Sequence, residues 1–258
     1  MIFLLKNTDV QQYFFLYNCN MKYLFLDFDG VLFDTLKEAY IICRYAFNGT
    51  NYNANIDSFI YDKFYRYKFL VYNSWQYYYI MQLLEENLSD EEFISKYYEY
   101  MNNRDKISEN SFDEKYYSAR NDLMKNHNEF WDNLEKPFEF LYMVKKGVKD
   151  KLFVPIIVSK KNKSAIEYRL KQSGFEIDSD SVFGKDELFN YKTKPEFINE
   201  YMNKNNIKNS YFIDDNSNNL LPCREYPNIK PILAGWGNIA IGEKGYSQEE
   251  CINLLLSN

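Results

Sequence analysis

The segment LFLDFDGVLFDT (residues 24–35) decides how the rest of the chain is read. With Tyr23 ahead of it, its first half is a short apolar run ending in Asp27, and Gly30 follows three residues later. Such a run reads as a buried strand that meets a sharp turn. Gly30 falls where the chain must swing off that strand, a place that favours a residue tolerant of positive φ.

Outward from this strand the chain changes character. From about residue 35 to 133 almost nothing has strand periodicity. LKEAYIICRYAF (36–47), FLVYNSWQYYYIMQLLEE (69–86), DEEFISKYYEYM (90–101) and DEKYYSARNDLM (113–124) carry apolar residues at helical spacing. Ser89 ahead of Asp90, Glu91 and Glu92 predicts an N-cap and an acidic first turn. The aromatic stripes read as packing of a helical bundle; Arg44, Arg66, Lys68 and NSWQ (73–76) could face a substrate, with solvated faces or bundle packing the preferred reading. Beyond residue 134 strands and helices alternate. FVPIIVS (153–159), SVF (181–183), YFIDD (211–215) and IKPILAG (229–235) read as strands. Pro137 opens a helix, 161–174 is a helix stopped by Gly174, and 195–205 and 247–256 are helices. This alternation predicts an α/β fold, a doubly wound parallel sheet assembled from 21–35 and 134–258, with 36–133 as a helical insertion.

Composition narrows the function. The chain has 258 residues, with Lys+Arg 31 against Asp+Glu 37 and a formal net charge of −6. That balance argues against binding nucleic acid through its phosphate backbone, while a small anion in a local basic pocket stays compatible with it. No segment has the run of apolar residues that a membrane span needs. The first 20 residues make a poor signal peptide, since Lys6 and Asp9 break their apolar run; they form an arm of unknown role. Cys19, Cys43, Cys223 and Cys251 are scattered without ligand spacing, as expected of reduced thiols in a cytoplasmic protein. His127 is the only histidine, which disfavours a His-based metal site or a Ser-His-Asp triad. The chemistry falls to carboxylates, lysines and hydroxyls.

Ligands of doubly wound sheets bind at the carboxyl ends of the strands, where strand order reverses. The residues predicted at those ends are Asp27 and Asp29, then Ser159, then Asp214 and Asp215, with Lys192 and Lys194 ahead of the helix 195–205. Carboxylates from two strands, a hydroxyl from a third and a nearby lysine can hold a hard divalent cation and a phosphate.

In their order along the chain, these residues resemble the motifs of the haloacid dehalogenase superfamily. LFLDFDGVLFDT (24–35) is similar to the first motif, IIVSK (156–160) to the second, KTKPEFI (192–198) to the third and YFIDDNSNN (211–219) to the fourth. GWG (235–237) resembles members of the phosphoglycolate phosphatase kind. The resemblance covers about 21–258, and it implies a Rossmann-like core with the insertion 36–133 as a type-one cap domain.

What it implies of the site is as follows. Asp27 is the nucleophile that takes up a phosphoryl group, and Asp29 the general acid and base, which favours phosphate chemistry over carbon–halogen cleavage. Mg²⁺ is held by Asp27, by the Asp29 carbonyl and by Asp215, with Asp214 behind them; the order of the last two is left open. Ser159 and the third-motif lysine, with Lys160 and the backbone at Phe28 and Gly30, hold the phosphoryl oxygens. One alignment selects Lys192 and another Lys194, with Lys192 preferred. Asp34 and Thr35 organise the passage into the insertion. The substrate implied is a small phosphorylated metabolite, and the activity a phosphatase; a sugar phosphomutase or a catalytically silent binding protein are the alternatives.

Overall fold

The computed structural model describes residues 21–257, so the expected arm at 1–20 lies outside the described residues. Strand β1 (Lys22–Leu26) leads through the two-residue β2 (Phe33–Asp34) into helices α1 (Leu36–Asn48), α2 (Ser58–Tyr67), α3 (Tyr77–Leu83), α4 (Asp90–Asn102), α5 (Lys106–Asn126) and α6 (Asn128–Asp132). The chain then returns through β3 (Lys136–Pro137), which pairs antiparallel with β2. Then come α7 (Glu139–Lys149), β4 (Phe153–Val158), α8 (Lys163–Gln172), β5 (Val182–Phe183) and α9 (Lys185–Leu188). The chain closes with α10 (Lys194–Lys204), β6 (Ser210–Asp214), α11 (Ser217–Leu220), β7 (Ile229–Leu233) and α12 (Gln248–Ser257).

Five strands form one parallel sheet in the order β5-β4-β1-β6-β7, as the alternation predicted. Side chains of β1 alternate between its faces. Leu24 and Leu26 pack with Phe140, Leu141 and Val144 of α7, with Ile166 and Leu170 of α8, and with Cys251 and Leu255 of α12. Phe25 joins Phe197, Ile198 and Met202 of α10 and Leu220 of α11 in a separate cluster. Burial on both faces is why these strands read as unbroken apolar runs. Leu26 pairs with Ile157 on one side and Ile213 on the other. The carboxyl ends of β1, β4 and β6 are therefore level, and strand order reverses at β1.

The helices between β2 and β3 surround their own apolar cluster, which includes Tyr40, Phe64, Tyr77, Phe93, Tyr97, Phe112, Tyr116 and Trp131. The aromatic stripes are its packing; Tyr67 and Phe93 stack with centroids 3.6 Å apart. Ser89 caps α4 as expected, exchanging hydrogen bonds with Glu92 in a capping box.

Three local details differ from the sequence reading. The stretch 69–86 is not one helix: a break at Val71–Asn73 separates two 3₁₀ turns before α3 begins. The Gln76 side-chain oxygen accepts the N–H groups of Tyr72 (2.6 Å) and Asn73 (2.7 Å), which stabilises the break against helical continuation. α2 lacks a counterpart in the sequence reading. Asp57 starts it by accepting from the N–H groups of Phe59 and Ile60. The helix FEFLYMVKKGV expected over 138–148 is present as α7, but Pro137 lies ahead of it in β3 and not in its first turn.

Among the described residues, no helix is long and apolar enough to cross a membrane. Gly147 of α7 lies directly over Phe153 of β4, where a Cβ would overlap the ring. Gly147→Ala should thus destabilise the fold by about 1–3 kcal/mol despite alanine's better helix propensity. Denaturant unfolding checks this, with a lower midpoint as the expected result.

Candidate active site

β1 and β6 bring three acids together. Asp27 follows β1, and its N–H donates to the Ile213 carbonyl at 3.0 Å. Its Oδ1 accepts the Phe28 N–H at 2.7 Å, and its Oδ2 lies 2.8 Å from Lys194 Nζ. The same ammonium lies 2.7 Å from Oδ2 of Asp214, the last residue of β6. Asp214 Oδ1 accepts from the Asn216 N–H and from Asn219. Asp215 is oriented through Oδ2, which accepts the N–H (2.7 Å) and the side-chain amide (3.0 Å) of Asn238. Its Oδ1 accepts no hydrogen bond among the described residues.

One oxygen from each of Asp27, Asp214 and Asp215 falls within 4.8 Å of the others, and all three residues are buried. A single buried ammonium, that of Lys194, is set against three carboxylates. Burial pushes the Asp27 carboxyl up to about 6; Asp214 and Asp29 add to this and Lys194 opposes it. Asp215 is raised as well, by burial and Asp27, against Lys68 and Asn238. Crowded hard oxygen donors with surplus negative charge suit Mg²⁺. The side chain of Asp29 is not in this group.

Glycines permit the approach. Gly30 has φ +80°, as its turn required, and a Cβ there would overlap the Asp215 carboxylate. Gly237 meets both the Gly30 carbonyl and Asp215. Trp236 between Gly235 and Gly237 fastens this loop to the first motif, donating from Nε1 to the Val31 carbonyl at 3.0 Å.

The structure separates the two lysines that the sequence left open. Lys194, the first residue of α10, reaches Asp27 and Asp214; Lys192 is exposed and does not, so the preference for Lys192 is corrected for the contact with Asp27. The cause is the helix start: Thr193 caps α10 through the Glu196 N–H, and Lys194 enters the first turn facing the sheet. Ser159 lies buried just past β4, its Oγ accepting the Lys161 N–H at 3.4 Å. The Phe28 ring is in the core, stacked on Phe33, so only its backbone N–H faces Asp27.

A cavity of about 540 Å³ opens between the insertion and the sheet. Asp29, Lys68, Tyr72, Trp75, Tyr117, Lys160, Lys185 and Lys192 are among its lining residues. Lys68, Asn73, Ser74 and Trp75 thus line a cavity, the less preferred of their two readings. The break at Val71–Asn73 is what delivers them. Arg44 and Arg66 do not line it; Arg66 pairs with Asp90. Among the described residues, Lys68, Lys160, Lys185 and Lys192 form no ion pair. Lys160 lies over the Tyr72 ring (5.2 Å) and Lys185 over Tyr117 (3.7 Å).

Asp29 belongs to a second buried cluster that the sequence reading missed. Lys161 Nζ lies 3.2 Å from Asp29 Oδ1, 3.1 Å from Glu38 Oε2 and 2.5 Å from Glu135 Oε1. Burial raises the Asp29 carboxyl, but Lys161 and Arg120 outweigh it and hold the group below its ordinary value. The lysine pair at 160–161 directly after Ser159 was the available signal; nothing marked Glu38 or Glu135 as its partners.

No protein-family model matches the sequence, and no curated protein does. Solved structures do resemble the fold. A Lactobacillus delbrueckii protein assigned as a phosphoglycolate phosphatase is 15% identical, with a TM-score of 0.61 over 93% of this chain and 100% of its own. A predicted phosphatase from Clostridium acetobutylicum is 17% identical, TM-score 0.55, over 92% and 99%. A protein from Bacteroides fragilis described as a haloacid dehalogenase-like hydrolase is 13% identical, TM-score 0.54, over 86% and 90%. At these identities the likeness establishes the fold, which is the one that the four motifs implied.

Two outcomes follow from the geometry. Lys194→Met leaves Asp27 and Asp214 buried without their cation and should cost about 3–5 kcal/mol, whereas Lys192→Met should leave unfolding unchanged. Chemical denaturation of both variants in a chelator measures the contrast. Gly237→Ala should displace Asp215 and destabilise the fold by about 1–3 kcal/mol, read as a lower denaturation midpoint.

Proposed function

We propose that this chain, with the fold of haloacid dehalogenase-like hydrolases, is a Mg²⁺-dependent phosphatase of a small phosphorylated metabolite. The supporting observation is the placement of Asp27. Its carboxylate stands at the carboxyl end of the central strand, bridged by Lys194 to Asp214, and Asp29, two residues on, lines the lysine-rich cavity. The four lysines without ion pairs favour an anionic substrate in a chain that is itself net negative.

In this reading Asp27 attacks the phosphorus, forming an Oδ–P bond while the bond from phosphorus to the alcohol oxygen breaks. Asp29, which takes up the proton brought by the incoming phosphate monoanion, passes it to the departing alkoxide. It then takes a proton from water as that water attacks the phosphorus, the Oδ–P bond breaks and inorganic phosphate is released. Like charges meet in both halves. Lys194 keeps Asp27 in line and lowers that repulsion, and the N–H of Phe28 fixes the other carboxylate oxygen. Ser159, Lys160 and Lys192 contribute donors for the phosphoryl oxygens and the rest of the substrate. Mg²⁺ held by Asp27, Asp215 and the Asp29 carbonyl, with Asp214 orienting Lys194 behind them, would neutralise charge on the transferring group. Free, buried Cys43, Cys223 and Cys251 accord with a reducing, cytoplasmic setting.

Asp27→Asn should abolish hydrolysis of p-nitrophenyl phosphate while the circular dichroism spectrum and melting curve stay native. Turnover retained in that variant rejects Asp27 as the nucleophile. A chelator should stop the reaction and Mg²⁺ restore it. Product analysis with a panel of phosphometabolites should find inorganic phosphate; an isomerised sugar phosphate would instead identify a mutase.

A further inference from the structure

The mechanism above needs Asp29 aimed at an oxygen that changes identity between the two half-reactions. What holds Asp29 is unusual. Its cationic partner, Lys161, has no side-chain exposure, and neither do Glu38 and Glu135, the other two acids on the same ammonium. Three acceptors match the three N–H groups of an ammonium. Each anchor is itself fixed. Arg120 of α5 donates to both oxygens of Glu38, at 3.0 and 3.2 Å, and Trp131 Nε1 donates to Oε1 at 3.0 Å. Arg169 of α8 holds Glu135 at 2.5 Å and the Trp131 carbonyl at 2.6 Å.

A buried ionic cluster is a poor way to gain stability, because desolvating the charges costs about as much as their attraction returns. What such a cluster does supply is geometry: Lys161 has no freedom to rotate while both glutamates hold it. Asp29 is the only carboxylate of the cluster that lines the cavity, beside Lys161 and Arg120, and Glu38 and Arg120 come from the helical insertion.

We propose that Lys161, clamped by Glu38 and Glu135, is the positioning residue that aims the Asp29 carboxyl for proton transfer to the leaving group. The inference rests on the phosphatase reading. It assigns the cluster a task in catalysis beyond holding the insertion to the sheet.

Leaving-group dependence is the test. An alkyl phosphate needs a proton from Asp29 to lose its alkoxide, whereas p-nitrophenolate leaves without one. kcat/KM reports the first, alcohol-releasing half-reaction, so the two substrates report separately on proton donation. Lys161→Gln should lower kcat/KM for an alkyl phosphate about 100-fold and that for p-nitrophenyl phosphate by no more than about threefold. In an Asp29→Asn background the same change should cause no further loss with either substrate. Equal losses on both substrates, or a loss additive with Asp29→Asn, would overturn the proposal.

Glu38→Gln keeps the shape of the clamp while removing its charge, and should show the same selective loss in smaller measure. It decides the matter by the same ratio if Lys161→Gln does not fold. Failure of both variants to fold would make the cluster a folding element and reject the positioning role. A wild-type protein that hydrolyses neither phosphate would refute the phosphatase reading; one that hydrolyses both, with an unchanged substrate ratio in the variants, would refute only this inference.

Discussion

The organising constraint of this molecule is the crowding of Asp27, Asp214 and Asp215, with one buried ammonium bridging the first two. Parallel strands β1 and β6 end level, so their terminal acids meet within ligand distance. Lys194 relieves only part of the repulsion, and Asp27 remains raised to about 6 by burial and its acidic neighbours. A protein that tolerates such an arrangement is prepared for a cation and for an anion brought in with it. The glycines at 30 and 237 follow from the same demand, since any side chain there would push Asp215 out of the group.

Around this centre the two acids of the first motif take different company. Asp27 faces Lys194 within the core, while Asp29, two residues on, turns towards Lys161 and the insertion. One group is raised and the other lowered from the ordinary carboxylate range.

Much of this was legible from residues alone. The core strands announced themselves because burial on both faces leaves continuous apolar runs, and their terminal acids interrupt those runs abruptly. Gly30 was legible because only a turn explains a glycine there. The choice between Lys192 and Lys194 was not, since it depends on where Thr193 caps the following helix and hence which lysine turns inward. The helix at Ser58–Tyr67 places Ile60, Tyr61, Phe64 and Tyr67 on the insertion's apolar cluster and starts at the Asp57 cap, signals that the sequence reading passed over. The cluster around Lys161 was hidden for another reason: its members lie 26 to 132 positions away from that lysine. No local pattern can express such pairing.

The ribbon formed by β2 and β3 carries a consequence for how such a protein could diversify. Because the chain leaves and re-enters the sheet through adjacent paired residues, Phe33 with Pro137 and Asp34 with Lys136, the sheet is indifferent to the length of what lies between. In principle the helical module is therefore exchangeable, and with it the shape of the chamber over the reacting acids. Glu38 and Arg120 qualify that freedom. A transplanted module would have to bring charges that satisfy Lys161, or the recipient would be left with an orphaned ammonium beside its proton donor.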